Sequence, residues 1–119
     1  MSIRNAIASV AVKDLPAAKA WYARLFGRAP DSTPMPEVAE WHFERGGWLQ
    51  VYERSDDLAG KGSATLAVSG LDEQVERLRG LGIDISHVSS GGKAKVAMIR
   101  DPDGNSLAFA EAIDPSMAR

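Results

Sequence analysis

The stretch that decides the fold is Val96–Glu111, which reads VAMIRDPDGNSLAFAE. Two apolar runs flank Asp101–Gly104, and each residue of that segment suits a turn. An aspartate can accept a hydrogen bond from the backbone two residues on, a proline fixes φ at about −65°, and a glycine accepts a positive φ without steric cost. The segment therefore predicts a type I turn closed by a glycine bulge, and the whole stretch predicts a β-hairpin.

The second strand of this hairpin has two different faces. Because successive side chains of a strand point to opposite sides, Leu107 and Phe109 share a bulky apolar face. Ser106, Ala108 and Ala110 share the other face. We expect the bulky face to pack in the core, while the small side chains leave volume open beside them.

Composition bounds the class of protein. The chain has 119 residues, of which 45% are hydrophobic and 25% charged, with a formal net charge of −2, which is typical of one globular domain or of two small halves that share a core. The absence of cysteine excludes disulfides and thiolate zinc ligands. No basic run suggests nucleic acid, no secretory leader pattern opens the chain, and no apolar run approaches the roughly 20 residues of a membrane span. We therefore expect a cytoplasmic protein with neither a nucleic-acid nor a membrane partner.

The remaining segments are typical of alternating strands and helices. Asp14 is expected to cap the first helix, with Pro16 in its first turn and Gly27 just after its end. The first half is predicted to contain a strand at 5–12, this helix to residue 26, a loop with an irregular edge strand at 28–36, strands at 38–43 and 48–52, and a polar linker at 54–62. The second half is predicted to contain a strand at 63–68, a helix at 71–81, a strand at 83–88, a turn at 89–92 and the hairpin.

The two halves repeat one pattern. A shift of 56 residues, the separation of Ala11 from Ala67, places Leu15 on Leu71 and Leu25 on Leu81. Strand, helix and three strands thus occur twice in the same order. An internal repeat of this kind is stronger evidence for a fold than any single motif.

The duplicated module with its terminal hairpin resembles the vicinal-oxygen-chelate superfamily, which includes glyoxalase I, extradiol dioxygenases, fosfomycin-resistance enzymes and bleomycin-resistance binding proteins. The resemblance rests on Asp101–Asn105 near the C-terminus and on the passage from Val12 to Gly27, and it covers essentially the whole chain. It implies an α+β fold in which two βαβββ modules, about 1–56 and 57–119, form a curled, cup-shaped mixed sheet within one domain spanning 1–119. It also implies a homodimer that completes two cavities.

The same resemblance locates four positions at which metal-dependent members carry His, Glu or Gln, His and Glu. They fall near Ile7, Gln50, Ser63 and Ala108. Isoleucine and alanine cannot ligate a metal, a serine hydroxyl is a poor ligand, and one amide oxygen does not hold a cation that needs several oxygen, imidazole or carboxylate ligands. We therefore predict no metal and no cofactor, which disfavours glyoxalase and dioxygenase chemistry because both need a Lewis acid.

A second pattern with metal-binding chemistry lies on one strand. Glu40, His42 and Glu44 alternate, so they share a face that could in principle hold an ion. The favoured interpretation is that Trp41 and Phe43 face the packed side and leave the charged residues in water. His87 is predicted to be a surface residue rather than a base, and two scattered histidines give no Ser-His-acid triad.

A cup without a metal still offers a site for a small molecule. Trp48, Gln50 and Tyr52 alternate onto one face, which would give aromatic walls with a few polar anchors. The predicted ligand-binding residues are Trp41, Trp48, Gln50, Tyr52, Ser63, Thr65, Met98 and Arg100. Arg100 could pair with an anionic group, whereas Trp41 could instead belong to the dimer interface, and ordinary core packing explains an aromatic residue equally well.

These predictions favour a metal-independent small-molecule binding protein, similar to the bleomycin-resistance branch, that sequesters an antibiotic or an aromatic metabolite. The alternative is an enzyme of the same superfamily, a lyase, isomerase or dioxygenase with an atypical site, using Glu40, Glu44 or Tyr52 as acid or base. A third possibility is an interaction module whose edge strands and aromatic residues serve dimerisation only. The sequence leaves open which ligand binds, and whether the modules pair within one chain or swap between chains.

Overall fold

The computed structural model describes residues 1–114 and 116, which form two helices and two four-stranded mixed sheets. The elements in chain order are β1 (Ile7–Val12), α1 (Leu15–Phe26), β2 (Ser32–Met35), β3 (Val38–His42), β4 (Trp48–Glu53), β5 (Ser63–Ala67), α2 (Leu71–Gly80), β6 (His87–Gly91), β7 (Ala94–Arg100) and β8 (Ser106–Ala112). The βαβββ order occurs twice, which confirms the α+β class and the repeated module. The chain falls into two compact units, the first spanning Met1–Gly62 and the second beginning at Ser63. Pro115 and Met117–Arg119, at the end of the predicted second module, lie outside the described residues.

The first unit has the strand order β1-β4-β3-β2, with β1 and β4 parallel and the other neighbours antiparallel. Helix α1 contacts β3 and β4 on one face of this sheet. The fully buried side chains between them are Tyr22 and Leu25 from the helix and Trp41, Leu49 and Val51 from the strands. The face of the sheet opposite α1 is therefore separated from this core.

Local sequence explains where α1 begins and ends. The side chain of Asp14 accepts a hydrogen bond from the backbone N–H of Ala17 at 3.1 Å, which satisfies one of the N–H groups that a helix leaves unpaired. Pro16 sits in the first turn, and Gly27 ends the helix with a φ of 74°. The cap, the proline and the glycine are all as the sequence predicted.

The polar segment after β4 belongs to the first unit. The backbone N–H of Arg54 donates to Val12 O at 2.8 Å, and that of Gly60 donates to Ala11 O at 2.9 Å. The first compact unit consequently reaches Gly62, six residues beyond the division at about residue 56 that the repeat suggested.

The second unit repeats the topology with the strand order β5-β8-β7-β6. Leu71, Val75 and Leu78 of α2 are buried, together with Leu107 and Phe109 of β8. The bulky face of the hairpin is thus the core face, as the alternation predicted. No helix of the described residues is long and apolar enough to cross a membrane.

The hairpin turn between β7 and β8 is held by buried side chains. The carboxylate of Asp101 accepts hydrogen bonds from the backbone N–H of Asp103 at 3.0 Å, the backbone N–H of Asn105 at 2.8 Å and the side-chain Nδ2 of Asn105 at 2.8 Å. The N–H of Gly104, whose φ is 104°, donates to Asp101 O at 3.0 Å. Since Asp101 and Asn105 are both buried, the turn is an internal part of the second unit.

Two strands, β1 and β6, differ from the sequence prediction by two or more residues at a boundary. The strand expected at 83–88 lies at His87–Gly91, because the N–H of Ile83 closes the end of α2 on Leu78 O and the turn falls after Gly91. Strand β1 begins at Ile7 rather than Asn5, because the Asn5 side chain is used in hydrogen bonds to Gly46 O and from Ala6 N. Both differences arise from contacts that hydrophobic periodicity does not record.

Candidate functional site

Three cross-strand rows lie on the face of the first sheet opposite α1. The register aligns Ser9, Gln50 and Glu40 in the central row. The flanking rows are Ile7, Trp48 and His42 on one side and Ala11, Tyr52 and Val38 on the other. Because side chains alternate along each strand, these residues all point away from the helix. We refer to this surface as the open face of the first sheet.

Hydrogen bonds connect the central row across all four strands. Ser9 Oγ donates to Gln50 Oε1 at 3.3 Å, and Gln50 Nε2 donates to Glu40 Oε2 at 3.0 Å. Ser32 Oγ, on the edge strand, donates to Glu40 Oε1 at 2.8 Å. We call Ser9, Gln50, Glu40 and Ser32 the polar row. Two of its three hydrogen bonds, those from Gln50 and Ser32, end on the carboxylate of Glu40.

Burial increases along the polar row towards Glu40. Ser9 is exposed, Gln50 is half-buried, and only 8% of Glu40 is exposed. The expectation that Glu40 lies in water was wrong, because one donor on each carboxylate oxygen compensates for its burial. Glu44 is exposed, as expected. Glu40, His42 and Glu44 therefore differ in their surroundings and do not form the shared exposed face that the sequence suggested.

An aromatic pair lies beside the polar row. The rings of His42 and Trp48 stack with their centroids 3.7 Å apart and an angle of 14° between their planes. Within the described part of the chain, His42 Nε2 is a buried side-chain nitrogen without a hydrogen-bond partner. Such an atom ordinarily has a partner in a native protein. Ile7, in the same row, is 49% exposed and extends the apolar surface.

Tyr52 lies in the third row, next to a charged cluster. The guanidinium of Arg54 donates from Nε to Asp56 at 2.9 Å, and this pairing, followed by the interaction with Tyr52, holds the pKa of Arg54 above its usual range. The same guanidinium is the main reason that the pKa of Asp56 lies below its usual value. Tyr52 is half-buried, so part of its side chain is exposed on the open face, and its hydroxyl interacts with Arg54.

Trp41 does not lie on this face. It alternates with Glu40 and His42, so it points towards α1, where it is fully buried. Its ring centroid is 5.9 Å from that of Tyr22 and 5.6 Å from that of Phe26, and Nε1 donates to Arg28 O at 3.1 Å. The structure thus separates Trp41 from Trp48, Gln50 and Tyr52 and gives it a core role.

The candidate residues of the second unit share a face of their own sheet. In the register of this sheet, Ser63 lies opposite Ser106, which in turn lies opposite Arg100. In the same way, Thr65 lies opposite Ala108, which lies opposite Met98. All of these residues are on the face opposite α2. Arg100 is exposed, and its guanidinium donates to Gly104 O at 3.0 Å. Most of the predicted residues therefore fall into two sets, Trp48, Gln50 and Tyr52 on the first sheet and Ser63, Thr65, Met98 and Arg100 on the second.

Sequence reasoning missed the polar row as a unit. Glu40 was considered within the alternation Glu40, His42 and Glu44 and as a possible acid or base, but not as a partner of Gln50, and Ser32 received no role. The signal that connects Glu40 to Gln50 is the register of β3 on β4, in which the two residues are directly opposite. The short turn between these strands fixes that register, so a register argument could have found the pair.

The residues at the four superfamily metal positions do not fit a metal ion. Ile7 and Ala108 offer no donor atom, and the oxygen of Gln50 already accepts a hydrogen bond from Ser9. The amide nitrogen of Gln50 donates to Glu40, which orients this side chain within the polar row rather than as a ligand. Residues 1–114 and 116 contain no group of three or more His, Cys, Asp or Glu side chains arranged to hold a metal.

Comparison with known proteins identifies the family. The model of the Glyoxalase/Bleomycin resistance protein/Dioxygenase superfamily matches residues 5–109, and the chain belongs to this superfamily. A glyoxalase/bleomycin resistance protein from Catenulispora acidiphila is 34% identical, with a TM-score of 0.81 over 91% of this chain and 97% of that one. The resemblance seen in the sequence is thereby confirmed.

Two more distant structures show the same fold. The bleomycin resistance determinant encoded on transposon Tn5 is 20% identical, with a TM-score of 0.77 over 93% of this chain and 99% of that one. A lactoylglutathione lyase from Agrobacterium tumefaciens is 23% identical, with a TM-score of 0.76 over 93% of this chain and 94% of that one. No curated protein sequence is similar enough to count as a relative.

Proposed function

We propose that this protein binds a small organic molecule without a metal ion, in the manner of the bleomycin-resistance members of its superfamily. The observation that carries the proposal is the composition of the open face of the first sheet. A hydrogen-bonded polar row lies there between an aromatic pair and a half-buried tyrosine. A few polar anchors within apolar and aromatic surroundings are the usual composition of a small-molecule site.

The proposed contacts of the ligand follow from this arrangement. Trp48 and Tyr52 supply ring surface, and Gln50 supplies a fixed amide between them. Ser63, Thr65, Met98 and Arg100 are proposed as further contacts on the face of their own sheet. An aromatic or amphipathic ligand suits these side chains, because it covers ring surface and still satisfies the polar groups.

The distant structural similarities support the fold and leave the choice of function to the site. One of these structures is a bleomycin resistance determinant and another a lactoylglutathione lyase, so both a binding protein and an enzyme use this architecture. The side chains of Ile7, Gln50, Ser63 and Ala108 favour binding, because they do not form the ligand set that Lewis-acid chemistry needs. Metal analysis of the purified protein checks this point, and a stoichiometric transition metal would contradict it.

Calorimetric titration with a panel of aromatic antibiotics and aromatic metabolites tests the proposal. We expect at least one compound to bind, and Trp48→Leu to weaken its binding at least tenfold because a ring contact is lost from the open face. Trp21→Leu is the matched control, since Trp21 lies on α1 on the other side of the sheet. No binding by any compound, or equal losses in both variants, would contradict the proposal.

A second candidate is catalysis on the same face, with Glu40 as an acid or base. The observation that favours it is a buried carboxylate held by two neutral donors, since enzymes often place such groups at reacting centres. The test uses NMR to measure whether the protein catalyses the replacement of hydrogens on the ligand by deuterium from deuterated solvent. Exchange that disappears in Glu40→Gln would favour the enzyme, and binding without exchange would favour the binding protein.

We also propose that the protein acts in the cytoplasm as a homodimer, which is common among small members of this superfamily. Sedimentation equilibrium tests the assembly directly. A mass that stays at 12.8 kDa at every concentration would contradict the dimer. It would not contradict the proposed ligand binding, which the calorimetric titration tests separately.

A further inference from the structure

We infer that the ligand carries a cationic hydrogen-bond donor, an amidinium, guanidinium or protonated amine, on a planar apolar group, and that Glu40 is its charge partner. This inference rests on the proposed small-molecule site and specifies its ligand class. It follows from three properties of the open face of the first sheet: an excess of acceptors, an unpaired negative charge and a neighbouring ring surface.

The polar row has many more acceptor positions than donors. Its donors are the hydroxyls of Ser9 and Ser32 and the two N–H groups of Gln50. Three of these four N–H and O–H groups are used within the row, and both carboxylate oxygens of Glu40 retain further lone pairs. A ligand that completes this row must therefore supply hydrogens, so a donor-rich head group fits and an acceptor-rich anion does not.

The charge of Glu40 points the same way. Among the ion pairs formed by residues 1–114 and 116, none involves Glu40, although only 8% of this residue is exposed. Buried charges in proteins are ordinarily paired, because removing them from water is costly. The row becomes more exposed from Glu40 through Gln50 to Ser9, which gives a ligand cation a path along the face.

The neighbouring row explains why the cation should be attached to a planar group. Trp48 and Gln50 are two residues apart on β4, so they lie on the same face, about 7 Å apart along the strand. Trp48 already stacks on His42. A flat apolar group can cover the exposed part of this pair, and an attached cation gains from the aromatic ring as well as from the carboxylate.

Three aromatic compounds of nearly equal shape test this inference. Benzamidine is a cation, benzamide is its neutral analogue, and benzoate is the anion. Their dissociation constants can be measured from the shifts of backbone and side-chain amide signals in ¹H–¹⁵N NMR spectra at millimolar concentrations. We expect benzamidine to bind at least tenfold more tightly than benzamide, with shifts at the Gln50 side-chain amide and along β3 and β4, and benzoate to bind most weakly.

Glu40→Gln removes the charge and keeps the shape and hydrogen-bonding capacity of the side chain. We expect it to abolish the preference for benzamidine over benzamide. Glu44→Gln is the matched control, because it removes the same charge from an exposed position just after β3, and it should keep the preference. Glu40→Asp, which retains the charge, should keep part of the preference and serves as a second variant if Glu40→Gln unfolds.

The outcomes separate this inference from the proposed function. Equal binding of benzamidine and benzamide at β3 and β4, or a preference that persists in Glu40→Gln, would overturn the cationic ligand class and leave small-molecule binding in place. A loss of preference in Glu44→Gln equal to that in Glu40→Gln would also overturn it, since bulk charge would then explain the effect. If neither these probes nor the wider panel bind, both the inference and the proposed function fail.

Discussion

The two sheets share one topology but differ on the face opposite their helix. The polar row of the first sheet is Ser9, Gln50, Glu40 and Ser32, and the row at the equivalent positions of the second sheet is Thr65, Ala108, Met98 and His87. The second row has two polar residues, Thr65 and His87, but no carboxylate. The shared topology therefore does not require the hydrogen-bonded carboxylate of the first sheet.

The two hairpins make a similar comparison. In the first unit, Phe43 N donates to Gly47 O and Gly46 N donates to Phe43 O, and in the second unit, Asp101 and Asn105 stand at the positions of Phe43 and Gly47 with the same backbone pattern. The first turn relies on Gly46, whose φ is 96°. The second turn adds a buried carboxylate–amide pair, so the same turn geometry is reached by different chemistry.

The largest expected effect tests the buried turn. Asp101→Ala removes an acceptor that three N–H groups share and leaves Asn105 buried without this partner. We expect the free energy of unfolding to fall by about 3 kcal/mol, measured by urea denaturation. Asp84→Ala, at an exposed position of the same unit, is the control. A loss of less than about 0.5 kcal/mol in Asp101→Ala would show that the backbone pattern alone holds the turn.

The next effect converts the polar row of the first sheet into the row of the second. Gln50→Ala removes a donor from buried Glu40, and we expect a loss of about 2 kcal/mol in the free energy of unfolding. The double variant Glu40→Met, Gln50→Ala copies Met98 and Ala108 and should recover most of this loss, because no buried charge remains unsatisfied. Denaturation of all four members of the cycle, including Glu40→Met, gives the coupling energy. Additive effects would mean that the hydrogen bond between the two residues has no energetic role.

The smallest expected effect concerns the start of the second helix. Gly70 and Leu71 donate their backbone N–H groups to Glu111 at 3.0 and 3.2 Å, and these bonds lower the pKa of Glu111 from its ordinary value of 4.5. A carboxyl group whose pKa is lower in the folded state stabilises the protein above its unfolded pKa, and this contribution disappears as the pH falls through the folded value. Glu111→Gln should therefore lower stability at neutral pH by less than Gln50→Ala does.

Thermal unfolding between pH 3 and pH 7 measures this effect. The difference in stability between the natural protein and Glu111→Gln should shrink as the solution becomes more acidic than about pH 4.5, the ordinary value. Glu73→Gln, an exposed acid in the first turn of α2, is the control for the helix dipole. A difference in stability that is constant over the whole pH range would refute the prediction that the negative charge of Glu111 stabilises the start of α2.

Local signals in the sequence were enough for most of the fold. Asp14, Pro16 and Gly27 act on residues within one helical turn of themselves, so their effect on α1 can be predicted from sequence alone. The alternation at Leu107 and Phe109 likewise identified the core face. The start of α2 at Leu71 was also predicted from periodicity, but its cap could not be, because the capping carboxylate comes from Glu111, 40 residues further along the chain.

The sequence by itself determined the repeated βαβββ module, the face on which each strand packs and the chemistry of the side chains at the superfamily metal positions, because these depend on neighbouring residues and on residue type. Only the tertiary structure placed Glu40 between Gln50 and Ser32 and decided that Trp41 packs in the core rather than against a ligand. The physical reason is that cross-strand register brings together residues far apart in the chain. Whether a carboxylate is paired, exposed or buried depends on those neighbours.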